Sequence, residues 1–182
     1  MEQKSDRRVK LTKRILHETL IELLQSSHVS ELSVKRICEA ADLNRSTFYA
    51  HYQSPIELFH EIEQEAYEDL TVYLSKGCFE HTADSSRPFM IYTLEYIKRN
   101  PKLFKVLLGS NGSTKLKEIS LAVTKNYFSN QKMNPPKKKH YMQHFFVAGW
   151  TAVMEEWLNN GCLESPDEIC DYVINLIDFS QL

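Results

Sequence analysis

The side chains best suited to chemistry in this chain lie close together, between positions 45 and 51. They are a guanidinium at Arg45, hydroxyls at Ser46, Thr47 and Tyr49, and an imidazole at His51. All of these groups form hydrogen bonds, and an arginine can bind the edge of guanine through two of them at once. The residue types in this segment therefore predict binding to nucleic acid.

Two short helices joined by a tight turn are predicted to position this segment. Ser33 is a suitable N-cap for the first helix, and the apolar residues after it recur at helical intervals. Asp42 tolerates left-handed backbone and is expected to form the turn. Asn44 is the next N-cap, and Phe48 and Tyr52, four residues apart, are expected to form the buried edge of the second helix. This is the outline of a DNA-reading helix-turn-helix.

The opposite side of the second helix carries the expected DNA contacts. Arg45, at the helix start, is the best candidate to read a base edge, whereas Tyr49 and His51 are expected to bind phosphates. Small side chains elsewhere on this side permit close approach to the major groove. The candidate DNA-binding residues are Ser33, Lys35, Arg36, Arg45, Ser46, Thr47, Tyr49 and His51. The alternative interpretation is a pair of packed surface helices with no DNA role.

The second helix and the residues after it resemble the TetR family of transcriptional regulators. That family carries a T-x-Y-x-H-[FY] signature followed by the start of a fourth helix, and residues 47–58 here read TFYAHY and then QSPIEL. Family members often have Gly where Ser46 stands and Lys where Pro55 stands. The specific resemblance covers about residues 8–62, and beyond them it is one of helical layout and length.

Serine and proline mark helix starts along the rest of the chain. Ser54-Pro55 and Ser165-Pro166 are each followed by a glutamate in the spacing of a capping box. No strand pattern competes, so an all-α fold is predicted, with helices near 9–27, 33–41, 44–51, 54–78, 87–99, 101–108, 113–131, 136–160 and 166–179. With the resemblance, this predicts a helix-turn-helix DNA-binding domain over 1–53 and a helical regulatory and dimerisation domain over 54–182.

Composition and charge narrow the class of protein. The 182 residues have ordinary apolar content and a net charge of −2, which fits a globular chain. With no long apolar run and a charged start, a cytoplasmic protein with no membrane contact is expected. The four cysteines include no C-x-x-C pair and are expected to be reduced and mostly buried.

Positive charge is concentrated at the predicted DNA-binding end. Residues 1–54 contain nine Lys/Arg against seven Asp/Glu, and the remaining residues are net acidic. Six cations precede or begin the first helix: Lys4, Arg7, Arg8, Lys10, Lys13 and Arg14. They predict a flexible arm that meets the phosphate backbone, with a solvated tail as the alternative.

The last two predicted helices carry more apolar surface than one small core needs. The TetR resemblance implies that they form a homodimer, which would present two recognition helices to a pseudo-palindromic operator in double-stranded DNA. The candidate interface residues are Phe145, Gly149, Ala152, Trp157, Ile169, Val173 and Ile177. The alternative is that these helices only close the core of the monomer.

Aromatic residues of the central helices are candidates for a ligand pocket. Tyr92, Tyr96, Phe104, Phe128, Met142 and Phe146 could line a cavity for a small apolar or aromatic effector, although such residues are as often plain core. The TetR resemblance implies that effector binding would move the fourth helix and release the protein from its operator, and the regulator is expected to be a repressor.

Enzymatic function is not predicted, because the sequence lacks the common nucleotide, nucleophile and zinc motifs, and no cofactor or metal is expected. His140 and His144 are interpreted as surface or interface histidines, and the acidic residues from Glu61 to Asp69 as a solvated helix face. The alternative function is a coactivator or adaptor of the same fold that acts through protein–protein contacts and binds no DNA.

Overall fold

The computed structural model describes residues 2–76, 86–109, 111–112, 121 and 136–177. In these residues the regular elements are helical, and the all-α prediction is confirmed. The α-helices are α1 (Glu2–Leu23), α2 (Val34–Ala41), α3 (Arg45–Tyr49), α4 (Pro55–Lys76), α5 (Ser86–Arg99), α6 (Pro101–Leu108), α7 (Pro136–Asn159) and α8 (Pro166–Ile177). The helix predicted at 113–131 lies outside the described residues.

The N-terminal helix differs from its prediction at both ends. It begins at Glu2, so the predicted flexible arm is wrong and Arg7, Arg8 and Lys10 lie on helical turns. It ends at Leu23, because from Gln25 onward the amide groups bond to carbonyls only three residues back, as in the 3.2 Å bond from the Gln25 N–H to the Glu22 carbonyl oxygen. A short 3₁₀-helix over Val29–Glu31, which the sequence pattern did not predict, follows.

Two leucines of α1 and the leucine directly after it anchor the N-terminal part of the core. Leu16, Leu20 and Leu24 are buried and lie four residues apart, which places them on one face of the helix. This face belongs to a single apolar cluster that includes Ile37 of α2 and Phe48 of α3. The same cluster continues through α4, α5 and α6 to the buried faces of α7 and α8. The helix-turn-helix is therefore packed directly on the rest of the chain.

Local capping fixes where the helices of the N-terminal part begin and turn. The Ser33 hydroxyl accepts a 3.2 Å bond from the Arg36 N–H at the start of α2, as predicted. Asp42 has φ 52° and ψ 45°, the left-handed conformation expected for the turn. Asn44 occupies the N-cap position of α3, but its side chain makes no capping bond. The start of α3 thus depends on packing more than on a side-chain cap.

Both predicted capping boxes lie at helix starts. At α8, the Glu168 carboxylate accepts from the Ser165 N–H at 2.8 Å and the Ser165 hydroxyl accepts from the Glu168 N–H at 3.2 Å. At α4, the Ser54 hydroxyl likewise accepts from the Glu57 N–H, but the Glu57 carboxylate accepts from the Gln53 N–H at 2.6 Å. The start of α4 is therefore tied to the residue that follows the helix-turn-helix.

Candidate nucleic-acid interface

Helix α3 has one buried edge and one exposed side. Phe48 is fully buried and Tyr52 is 2% exposed, which confirms the predicted buried edge. Arg45, Ser46 and Tyr49 are exposed, and the Tyr49 side chain retains 58% of its accessible surface. Because Phe48 fixes one side of this short helix in the core, the guanidinium and hydroxyl groups face outward.

Helix α2 adds two cations beside this side of α3. Lys35 and Arg36 are both exposed, and Lys35 Nζ lies 3.7 Å from a Glu39 carboxylate oxygen. Within the described part of the chain, neither Arg36 nor Arg45 forms an ion pair. An open depression between α2 and the start of α3 has Lys35 and Arg45 among its lining residues. Such cations are available to phosphates or base edges.

The remaining predicted DNA contacts differ in their exposure. Thr47 and His51 are half-buried, and the Ser33 hydroxyl is used as the cap of α2 although the residue is exposed. Burial raises the pKa of the Cys38 thiol, with Arg45 opposing the effect, so a thiolate nucleophile is not expected here. The site offers hydrogen-bond donors and positive charge rather than reactive groups.

Comparison with known proteins places this arrangement in a family. Residues 84–179, more than half of the chain, match the sequence family TetR_C_8, described as "Transcriptional regulator C-terminal region". The chain belongs to the TetR family of transcriptional regulators. No curated protein matches the sequence.

Solved structures of several regulators share the fold at low sequence identity. A TetR transcriptional regulator from Streptococcus agalactiae is 20% identical with a TM-score of 0.69, over 97% of this chain and 99% of that one. The fatty acid degradation regulator FadR from Bacillus halodurans is 8% identical with a TM-score of 0.68, over 91% and 93%. NalD from Pseudomonas aeruginosa, a repressor of the MexAB-OprM efflux pump, is 18% identical with a TM-score of 0.66, over 93% and 94%.

A polar cluster behind the helix-turn-helix of this TetR-family chain was missed in the sequence. Lys13 Nζ donates to Glu61 at 2.7 Å, and His17 contacts both the Tyr52 hydroxyl and Glu65. Lys13 is therefore turned to α4 and is not the predicted phosphate contact. Three of these residues, His17, Glu61 and Glu65, have metal-binding atoms within 4.8 Å of one another. Because Lys13 and Tyr52 already bond to them, the geometry is that of an ion-pair network.

The acidic residues of α4 are thus not a uniformly solvated face. Glu61 is partly buried, and Glu63 is only 9% exposed and bonds to His60 Nδ1 at 2.9 Å. For Glu61 a contact with a distant element overrides the charge pattern, because α1 packs along this side of α4. Residues 48 positions apart in sequence, such as Lys13 and Glu61, give no local signal of their pairing.

The ligand-pocket candidates divide between the core and an aromatic group at α4 and α5. Phe104 is buried, and Tyr96 packs edge-on against it at 5.7 Å. Tyr73 of α4, absent from the candidates, has ring centroids 5.9 Å from Tyr92 and 5.1 Å from Tyr96. Met142 and Phe146 are half-buried on α7, and Phe128 lies outside the described residues.

Some of the predicted dimer-interface residues are exposed, and others are buried. Phe145 is 74% exposed, and Gly149 and Ala152 are exposed on the same helix. The prediction is wrong for Trp157, Ile169 and Val173, which are buried in the core of the single chain because α5 and α6 cover these faces. The side chain of Ile177 is not described. Tyr141, Tyr172 and Leu176 are large exposed side chains that the prediction omitted.

Two further predictions concern the surface and the cysteines. Cys38, Cys162 and Cys170 are buried free thiols, as expected, and Cys78 lies outside the described residues. His140 and His144 are both exposed, with ring centroids 4.3 Å apart. Among the described residues, no helix is long and apolar enough to cross a membrane.

Proposed function

We propose that this TetR-family regulator binds double-stranded DNA through α3 and the start of α2. The observation that carries the proposal is the exposed, cationic and hydroxyl-bearing side of α3, held outward by the buried Phe48 and Tyr52. The length of a single short helix suits the major groove, where Arg45 can reach a base edge. Lys35 and Arg36 lie beside it and would bind the backbone.

We retain the division predicted from the sequence, with DNA binding in residues 1–53 and regulation and dimerisation in residues 54–182. Support for a homodimer comes from the exposed large side chains of α7 and α8. Tyr141 and Phe145 are each 74% exposed, and Leu176 is 81% exposed. Apart from the neighbouring residues of its own helix, no described atom lies within 4 Å of the position that a Cβ on Gly149 would take, so a second helix could approach there. A two-fold dimer would carry two copies of α3 to a pseudo-palindromic operator.

The proposed outcome of operator binding is repression, because a dimer seated over a promoter excludes polymerase. Release would follow from a small apolar or aromatic effector at the aromatic group of Tyr73, Tyr92 and Tyr96. Tyr73 lies on α4 and the other two on α5, so a ligand that separates these rings would shift α4. Helix α4 begins at Pro55, directly after the recognition segment. A coupling of about 1 to 3 kcal/mol would suffice.

The central test measures DNA affinity against salt. Genomic fragments that the purified protein retains would supply the operator, and binding would be titrated on it and on random DNA. If Lys35 and Arg36 of both subunits bind phosphates while Arg45 reads a base edge, the logarithm of the affinity should fall with a slope of about −4 against the logarithm of salt concentration. Replacing all three by alanine should remove most of this slope.

A matched control is Arg99→Ala, which removes a cation from α5 and should leave the slope unchanged. Equal affinity for operator and random DNA, or no salt dependence, would contradict direct DNA reading. That result would favour the adaptor function, in which the same fold acts through protein contacts alone. A promoter–reporter assay with and without the protein would then distinguish repression from activation.

A further inference from the structure

A chain of polar contacts joins α1, the end of the helix-turn-helix and α4. His17 Nε2 lies 3.1 Å from the Tyr52 hydroxyl oxygen, and His17 Nδ1 lies 3.2 Å from a Glu65 oxygen. The Tyr52 hydroxyl also interacts with Glu61, and the Glu61 carboxylate accepts from Lys13 Nζ at 2.7 Å. Tyr52 is three residues beyond the end of α3, so its hydroxyl is the point at which the recognition segment is tied to both neighbouring helices.

These groups are largely buried, so their hydrogen bonds are shielded from water. Tyr52 is 2% exposed and the His17 side chain 14% exposed, whereas Glu65 is half in solvent. Burial, together with the bond to Glu61, raises the pKa of Tyr52, so the hydroxyl keeps its proton. Burial alone would raise the pKa of Glu61, but the bonds from Lys13 and Tyr52 outweigh it and the pKa is lowered. The network therefore contains one neutral hydroxyl facing an ionised carboxylate.

The protonation of His17 decides whether the Tyr52 O–H donates to His17 or to Glu61. A carboxylate only accepts hydrogen bonds, so the contact with Glu65 favours a proton on His17 Nδ1. A neutral imidazole then has no proton on Nε2, and that nitrogen can only accept from the single O–H of Tyr52. A doubly protonated imidazole donates from Nε2 to the tyrosine oxygen, which frees the O–H to donate to Glu61.

Charged groups from α1 and α4 surround this cluster. From α4, Glu61 and Glu65 face the cluster, and Glu57 contributes negative potential at Tyr52. From α1, Lys13 supplies one positive charge, which Glu61 already pairs. His51, beside Tyr52 in the sequence, has its ring centroid 6.3 Å from that ring.

We propose that the Tyr52 hydroxyl is a positioning group for the recognition helix, and that a proton on His17 directs it to Glu61 and so locks the helix-turn-helix onto α4. The inference rests on the proposed function only where DNA affinity is the measurement. Tyr52→Phe keeps the buried ring and removes only the hydroxyl. It should weaken operator binding by about fivefold, the equivalent of one lost hydrogen bond of about 1 kcal/mol.

The decisive experiment is a double-mutant cycle of Tyr52→Phe and Glu61→Gln, measured without DNA by urea unfolding at about pH 6 and about pH 8, on either side of ordinary imidazole titration. The two residues should be coupled more strongly at the lower pH, because only the protonated His17 releases the hydroxyl to Glu61. In His17→Gln the pH dependence of this coupling should vanish. A merely structural tyrosine would give the same coupling at both pH values, and that result would overturn the proton-directed switch.

Operator affinity supplies the second measurement. The wild-type affinity for the operator should fall from the lower to the higher pH. In His17→Gln this fall should be smaller, and only a contribution from His51 should remain. Tyr67→Phe, which removes a hydroxyl from α4 outside the network, is the control and should bind as the wild type does. Tyr52→Phe binding with wild-type affinity would overturn the positioning role. If the wild type binds no DNA, the proposed function fails, and the coupling measured without DNA still decides the network.

Discussion

At the scale of single residues, exposure divides α3 into a side that stabilises the chain and a side that is free to bind. Arg45 is exposed and unpaired within the described residues, while Tyr49 and His51 border the same side. Arg45→Ala should therefore relax sequence preference, at about 1 to 3 kcal/mol for a lost base contact. Tyr49→Phe or His51→Ala should weaken binding evenly across sequences. Titration on the operator and on single-base variants measures both effects, and unchanged preference in Arg45→Ala would refute base reading.

Adjacent aromatic residues offer a test of the buried edge that needs no DNA. Phe48→Ala empties a fully buried position in the core and should lower the free energy of unfolding by about 3 to 5 kcal/mol. Tyr49→Ala, one position away and 58% exposed, should change it by no more than about 0.5 kcal/mol. Urea denaturation monitored by circular dichroism gives both values. Equal losses of unfolding free energy in the two variants would contradict the burial of Phe48 and the exposure of Tyr49.

At the scale of elements, the sequence predicted what neighbours in the chain determine. The Ser33 cap, the left-handed Asp42 and the capping box at Ser165 each depend on a few adjacent residues, and all are present. The pairing of Lys13 with Glu61 depends on how two distant helices pack, so charge pattern alone misassigned both. Likewise, the apolar spacing of α7 marks a buried face but does not tell whether its own chain or a partner covers it.

The start of α8 gives a prediction on pH. Bonds from the Ser165 N–H and hydroxyl lower the pKa of Glu168, so its ionised form is favoured in the folded chain. A lowered pKa contributes stability that is complete above the unfolded-state value and is lost as pH falls through the folded-state value. Acidification should therefore weaken α8, and Glu168→Gln should remove this part of the pH dependence. Amide hydrogen exchange in α8 as a function of pH would measure it, and an unaltered profile in the variant would contradict the box.

At the scale of the whole molecule, the N-terminal helices are docked on the later part of the chain at more than one place. Lys102 Nζ lies 2.6 Å from Glu22, and the Gln25 amide donates to the Lys102 carbonyl at 2.9 Å. Asn111 accepts from the Val29 N–H at 2.9 Å. Together with the continuous core, these contacts join α6 and α4 to the N-terminal helices through packed groups.

The exposed apolar face of α7 yields the last prediction, on assembly. If this face forms the dimer, Phe145→Glu places a charge in the interface and should raise the dimer dissociation constant by at least about thirtyfold, as expected for an aromatic hot spot. Leu163→Glu adds the same charge at an 83% exposed position after α7 and should leave the dimer intact. Sedimentation at several concentrations measures the assembly. Because only a dimer spans two half-sites, the monomeric variant should also lose operator affinity while keeping its binding to random DNA. If Phe145→Glu dimerises as tightly as the wild type, the interface lies elsewhere.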